Sequence, residues 1–178
     1  NIIVFRTIVV IIIAINIGLF AYLLQQIFRN KRFSLFVSIM LLMFLNINFE
    51  HTVPNTFVGF LGIPFSMLLI SLILFNKNLQ TKSKKNVFIY TILLFISLCS
   101  YEGLITLMPI YPVLALRFSL KEQRSLKKFI KDIWIPVSVS VCYLGLYLIS
   151  GKVVQTTYEG NQITFVSLKS SFEIIAQL

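Results

Sequence analysis

Apolar and polar positions alternate along this chain in long blocks, not at the short period of a soluble helix or strand. Six apolar runs stand out, at about Ile2–Phe28, Phe33–Phe49, Phe57–Phe75, Val87–Ser100, Leu104–Leu116 and Ile133–Ser150. Short polar links separate them: "RNKR", "EHTVPNT", "NKNLQTKSKKN", "SYEG" and the basic stretch 117–132. Runs of roughly 17–25 apolar residues have the length needed to cross a bilayer as helices. The pattern therefore predicts an all-α fold, a polytopic transmembrane helical bundle of about six spans.

Two of the runs are shorter than the rest. Val87–Ser100 and Leu104–Leu116 are legs of about 13 to 15 residues, or roughly 20–22 Å of helix. The hydrocarbon core is about 30 Å thick. Basic links flank the pair on both sides, so it must go out and come back. The prediction is a short recessed hairpin over residues 87–116, with Tyr101, Glu102 and Gly103 at its tip. Pro109 and Pro112 each remove an amide donor, so the returning leg is expected to be irregular.

Past Ser150 the pattern changes. "GKVVQTTYEGNQITFVSLKS" is polar and β-branched around a Glu-Gly-Asn turn, and reads as an extracytoplasmic loop. Ser170-x-x-Glu173 then forms a capping box ahead of "IIAQL", where a further helix would begin. The division is thus 1–150 for the transmembrane bundle and 151–178 for the loop and the start of that helix. The chain opens without Met and stops as a helix starts, so it reads as a piece of a longer protein. The triplet Tyr-Glu-Gly recurs at 101–103 and 158–160 with unlike flanks, which does not make a repeat.

Composition agrees with the block pattern. Of the 178 residues 57% are hydrophobic and 12% charged, with 17 Phe and a mean hydropathy of +0.89. Soluble domains carry about 25% charged residues. The net charge of +10 would point to nucleic acid in a soluble protein. Its distribution points elsewhere. Three basic residues lie in the first link, four in the third and six in the fifth, which is 13 of the 16. Those alternate links are therefore cytoplasmic, the partners are membrane lipids, and no nucleic acid is expected. Glu50, Glu102, Glu159 and Glu173 then fall on the other side, and Asn1 begins outside. A cytoplasmic native N-terminus would place an odd number of spans before it. The localisation expected is a multi-pass protein of a bacterial cytoplasmic membrane. The stretch "LKEQRSLKKFIKDIW" reads as a basic amphipathic anchor lying along the inner leaflet.

Candidate chemistry is sparse. His51 is the lone histidine and no CxxC or HExxH occurs, so zinc chemistry is not expected. No cofactor is identified, and a divalent metal, though open, has no ligand motif. Cys99 and Cys142 lie in apolar runs and read as small membrane-core residues. Glu102 is the conspicuous residue, the one charge between Val87 and Leu116. A carboxylate in such a run is costly unless something needs it. Beside it on the outer face fall Asn46, Asn48, Glu50 and His51 after the second run, Tyr101, then Tyr158 and Glu159 in the last loop. Arg6 lies near the outer end of the first span and Lys152 outside the sixth. Acids with a few cations at a cavity mouth beside lipid suit a phosphate-linked lipid donor and a hydroxyl acceptor. The catalytic candidates are Glu102, Glu50 and His51, one carboxylate taking the acceptor proton. The substrate-binding candidates are Tyr101, Asn48, Arg6 and Glu159, with cations holding the lipid phosphate. Each has a plainer alternative. The asparagines can bond across helices, Glu50 and His51 can be a solvated loop, Arg6 can snorkel to headgroups, and Glu102 can cap a surface hairpin.

The stretch "LCSYEGLITLMPIYPVLAL" resembles a segment of bacterial polytopic membrane proteins of the C-type (GT-C) glycosyltransferase kind, in which an apolar span runs into a Tyr-Glu pair and a Pro-containing span. "TTYEGNQITF" is similar to their loop after a later span. The resemblance implies an enzyme of envelope glycan assembly that transfers a sugar from a polyprenyl-phosphate-linked donor at the extracytoplasmic face. It also implies a carboxylate base in a large first outer loop. The only early outer link here is "EHTVPNT", so that loop would precede Asn1. The competing class is a transporter or flippase, which would place ionisable groups at the midplane and often carry inverted repeats.

Overall fold

The structure is a computed structural model that describes residues 2–49, 58–123 and 125–153. Among these it holds six α-helices, one 3-10 segment and no strand. The helices are α1 (Ile2–Phe28), α2 (Lys31–Phe49), α3 (Val58–Thr81), α4 (Lys84–Ser100), α5 (Ile110–Lys121) and α6 (Leu126–Val153), with the 3-10 segment at Glu102–Leu107 between α4 and α5. Four stretches are long and apolar enough to cross a membrane: Thr7–Phe28, Gly62–Thr81, Glu102–Lys121 and Leu126–Ile149. The predicted all-α membrane fold is therefore present.

The helices overrun the apolar blocks at their polar ends. α3 continues through Asn76–Thr81, α4 already begins at Lys84, and α5 runs on to Lys121. The expected third link of eleven residues shrinks to Lys82 and Ser83. Lys, Gln and Leu propagate a helix nearly as well as Ala does. Hydropathy marks where a helix leaves the hydrocarbon, not where its hydrogen bonds stop. The expected amphipathic anchor is corrected likewise. Residues 126–132 are the first turns of α6, continuous with its apolar part through the buried Pro136. Twenty-eight residues make about 42 Å of helix, more than the roughly 30 Å of hydrocarbon, so the basic turns have length to project past it.

By its contacts the chain divides into Asn1–Tyr143 and Leu144–Leu178. The second unit is described only for the last turns of α6.

In the first unit α3 is the central helix. Its Leu68, Leu72, Phe75 and Leu79 are buried, as are Tyr90, Leu94 and Leu98 of α4 and Tyr111, Leu114 and Ala115 of α5. Tyr111 and Ser71 share a hydroxyl hydrogen bond of 2.7 Å, and the Ser71 hydroxyl lies 2.8 Å from the Tyr90 carbonyl as donor. Phe75 meets both tyrosine rings edge-on, at 5.6 and 5.0 Å. Three helices are thereby tied at one level.

α1 joins α3 by polar contacts. Asn16 Nδ2 donates to the Gly62 carbonyl at 2.9 Å, and Ser66 Oγ donates to Asn16 Oδ1 at 2.8 Å. Further along, Asn76 Nδ2 donates to Gln26 Oε1 at 3.0 Å. In lipid, apolar side chains gain little by leaving the tails for one another's company, so such bonds and close backbone approach hold helices together. Gly62 supplies the approach. A Cβ there would lie 2.3 Å from Ile12 Cγ2.

These pairings fix direction. Asn16–Gly62 and Gln26–Asn76 rise together, so α1 and α3 run parallel. Lys82 and Ser83 then turn the chain, and α4 runs back. α5 returns beside α3, because Tyr111 meets Ser71 and, further on, Arg117 lies over the Phe28 ring at the end of α1. The ion pair Lys82–Asp132 brings the start of α6 to the same end. Half-exposed at Lys82, that pair adds little stability, but it locates the helix. The three basic links thus gather at one end of the bundle.

Impermeant thiol labelling gives a direct check, after Cys99 and Cys142 are replaced by serine. A cysteine at Lys84, an exposed position, is expected to label only after the cells are permeabilised. One in residues 50–56 is expected to label in intact cells. Labelling of the Lys84 position from outside would overturn the orientation.

Candidate functional site

The far end of the bundle is built around the break between α4 and α5. α4 ends because Tyr101 turns extended, with φ −154° and ψ 109°. Its N–H still donates to the Ser97 carbonyl at 3.1 Å, and its own carbonyl accepts from Leu104 N–H at 3.2 Å. Glu102 then opens the 3-10 segment, which Met108 N–H closes on the Ile105 carbonyl at 3.1 Å. Pro109 cannot donate, and Pro112 falls in the first turn of α5, where its missing N–H has no helical partner to lose. The two prolines explain why the return leg is irregular at its top and regular below.

The hairpin expected at 87–116 is present with longer legs. α4 has 17 residues, about 25 Å. The return stretch Glu102–Lys121 has 20 residues. The outgoing leg remains shorter than the roughly 30 Å hydrocarbon core.

At the tip the Tyr101 ring folds over Gly103. A Cβ at Gly103 would come within 2.7 Å of Tyr101 Cε1 and 3.0 Å of its Oη. Only glycine lets the phenol lie down on the backbone there. Thr106 Oγ1 closes the same turn by donating to the Gly103 carbonyl at 2.7 Å. Tyr101 is 40% exposed and Glu102 is exposed, while Leu104 below them is buried. Among the described residues the Glu102 carboxylate takes no hydrogen bond and no ion pair. It is anchored through its backbone and open at its head.

Helix order places two other candidates at this end. Arg6 lies in the early turns of α1, about six turns before the basic end, and Asn48 lies at the end of α2. Glu50, His51 and Glu159 lie outside the described residues, as do Tyr158 and the expected polar loop from residue 154 onward. Lys152 sits in the last turn of α6. Among the described residues no three His, Cys, Asp or Glu side chains gather as a metal site, and Cys99 and Cys142 are free and exposed.

Two features of the structure were not foreseen. Gly103 as the seat of the Tyr101 ring had no signal beyond its place in the triplet. The part-buried polar links Asn16–Ser66 and Gln26–Asn76 had one, since Asn16 is the lone amide between Val9 and Leu24. Comparison of the chain with protein-family models, with curated proteins and with solved structures finds no match.

Proposed function

We propose that this chain belongs to an integral membrane glycosyltransferase-like protein of cell-envelope glycan assembly, seated in a bacterial cytoplasmic membrane. It would transfer a sugar from a polyprenyl-phosphate-linked donor to an acceptor hydroxyl at the extracytoplasmic face. One observation carries the reading. Glu102 is an exposed carboxylate with no described partner, at a helix break, at the end of the bundle opposite the basic links, in an otherwise uncharged apolar stretch. A group so costly to carry and so little used by the fold is available for chemistry. Glu102 takes the acceptor's proton or aligns the acceptor, with Glu50 and His51 as the other catalytic candidates. Tyr101, Asn48 and Glu159 line the substrates, and Arg6 meets the donor phosphate.

The broken return leg favours a second reading. Discontinuous helices also build transporter sites, so a transporter or flippase for a lipid-linked or small substrate is the alternative. Proteoliposomes holding the full-length protein and a labelled polyprenyl-phosphate sugar separate the two. Label is expected in an acceptor glycan on the outer side. Label that crosses the bilayer without any transfer would overturn the enzyme reading in favour of transport.

A further inference from the structure

We infer that Arg117, set against Phe28 at the basic end of the bundle, is the phosphate-binding group of a site for an anionic membrane phospholipid. The guanidinium carbon of Arg117 lies 5.4 Å from the centre of the Phe28 ring. Phe28 in turn meets Phe33 edge-on at 5.2 Å, across the turn that joins α1 to α2. The cation is thus held on an aromatic base, within the reach at which a ring face attracts it.

The residues that flank Arg117 and its Phe28 base in the sequence are mainly cationic and apolar, with Glu122 at the end of α5 the one acid among them. Among the described residues no carboxylate pairs with it. Its counterpart Lys82 differs, because Asp132 neutralises it. Arg29 follows Phe28 directly, Lys31 and Arg32 precede Phe33, and Lys121 is one turn past Arg117 on α5. The apolar part is equally exposed. Val113, Leu116 and Leu120 recur at helical spacing on α5 and are 62%, 48% and 72% exposed, and Phe28 and Phe33 are 51% and 45% exposed.

A phosphodiester on an acyl glycerol fits both halves. Its oxygens match the planar fork of an arginine, which grips a phosphate by two N–H groups where a lysine offers a point charge. Its chains lie along the exposed row of α5 and the two phenyl rings. The height is right too, since α5 returns to the end where the basic links gather. Diffuse attraction of lysines to headgroups would need none of this geometry. The site depends on the membrane fold and not on the transferase reading, so its test does not use transfer activity.

The test uses the full-length protein purified in neutral detergent, with phosphatidylglycerol or phosphatidylcholine added and the melting temperature read. Phosphatidylglycerol is expected to raise it by several degrees more than phosphatidylcholine. Arg117→Gln is expected to lose most of that difference, and Lys127→Gln, which removes one charge elsewhere at the same end, to keep it. Arg117→Lys retains the charge without the fork and is expected to lose most of it as well, which serves should the glutamine variant fail to fold. Equal stabilisation by both lipids would overturn the site. So would equal losses in the Arg117→Gln and Lys127→Gln proteins, a sign of diffuse charge, or a full response in Arg117→Lys. Stabilisation through Arg117 by a polyprenyl phosphate, with none by phosphatidylglycerol, would make it a substrate site and overturn the phospholipid assignment.

Discussion

Glu102→Gln is expected to remove sugar transfer by about a hundredfold or more, the range general acid–base groups contribute, while yield, insertion and melting stay as they were. The second half of that expectation comes from the structure. Glu102 is exposed, and among the described residues its carboxylate holds neither a hydrogen bond nor an ion pair. Glutamine keeps its length and its propensity, and the turn is closed by backbone bonds of Tyr101, Leu104 and Met108 and by Thr106, none of which involves the side chain. Surface changes of that kind move stability by only about ±0.5 kcal/mol. Lost activity in a normally folded protein then reports chemistry. Saturating the lipid-linked donor should not restore the rate, because proton transfer or acceptor alignment has failed and not donor capture. Glu159→Gln, in the polar loop, should do less. Full activity in the Glu102→Gln protein would return the carboxylate to a solvated hairpin cap and leave the transferase reading without its carrying residue.

The second large effect is expected at the crossing of α1 and α3. Gly62→Ala puts a methyl 2.3 Å from Ile12 Cγ2 and 3.3 Å from Asn16 Nδ2. Ile12 is β-branched, so its rotamer is stiff in a helix and the methyl group has little room to swing away. Either the helices part or Ile12 strains. Parting them also stretches the Asn16 bonds to the Gly62 carbonyl and to Ser66. Overpacking of this sort costs roughly 1–3 kcal/mol, read as a lower midpoint in detergent denaturation. Ile12→Ala in the same chain clears the space and should recover most of the loss. That rescue distinguishes a steric crossing from a generic dislike of alanine, since two independent changes would simply add. A Gly62→Ala protein as stable as the parent would show that the helices do not touch there.

How far the fold could be read in advance differs from helix to helix. α1 ends where its apolar run ends because Arg29 is both the first charge past that run and the point where the chain turns. α3 and α6 do not match, since Asn76–Thr81 and Leu126–Asp132 are polar yet helical. Charge told where the membrane ended, and nothing in the composition told that the hydrogen bonds went on. The tip was legible because a carboxylate among apolar residues is conspicuous and because two prolines follow it. Its detailed shape was not, for the fit of the Tyr101 ring on Gly103 depends on an extended backbone at one residue. The helix pairing was hidden for a like reason. Asn16 announces itself as a polar group needing a partner, but only the folded chain shows that the partners are Gly62 and Ser66. Glu50, His51 and Glu159 fall outside the described residues, so the tip is the part of the candidate site that has a geometry.

The tightness of the turns at the basic end reaches beyond packing. α1 and α2 are joined by Arg29 and Asn30, and α3 and α4 by Lys82 and Ser83, with Arg29 and Lys82 in left-handed conformations, φ 56° and 50°. A left-handed arginine or lysine gives up about 1–2 kcal/mol that a glycine would keep. Two residues reach about 7 Å at full stretch, far less than the thickness of a bilayer. Neither partner in such a pair can be reversed alone. During biosynthesis the unit that acquires an orientation is therefore the two-helix pair, and an inverted α3 would drag α4 and their shared lysines across with it. The charges that decide orientation sit where the chain has least slack, so an orientation once taken cannot be corrected one helix at a time.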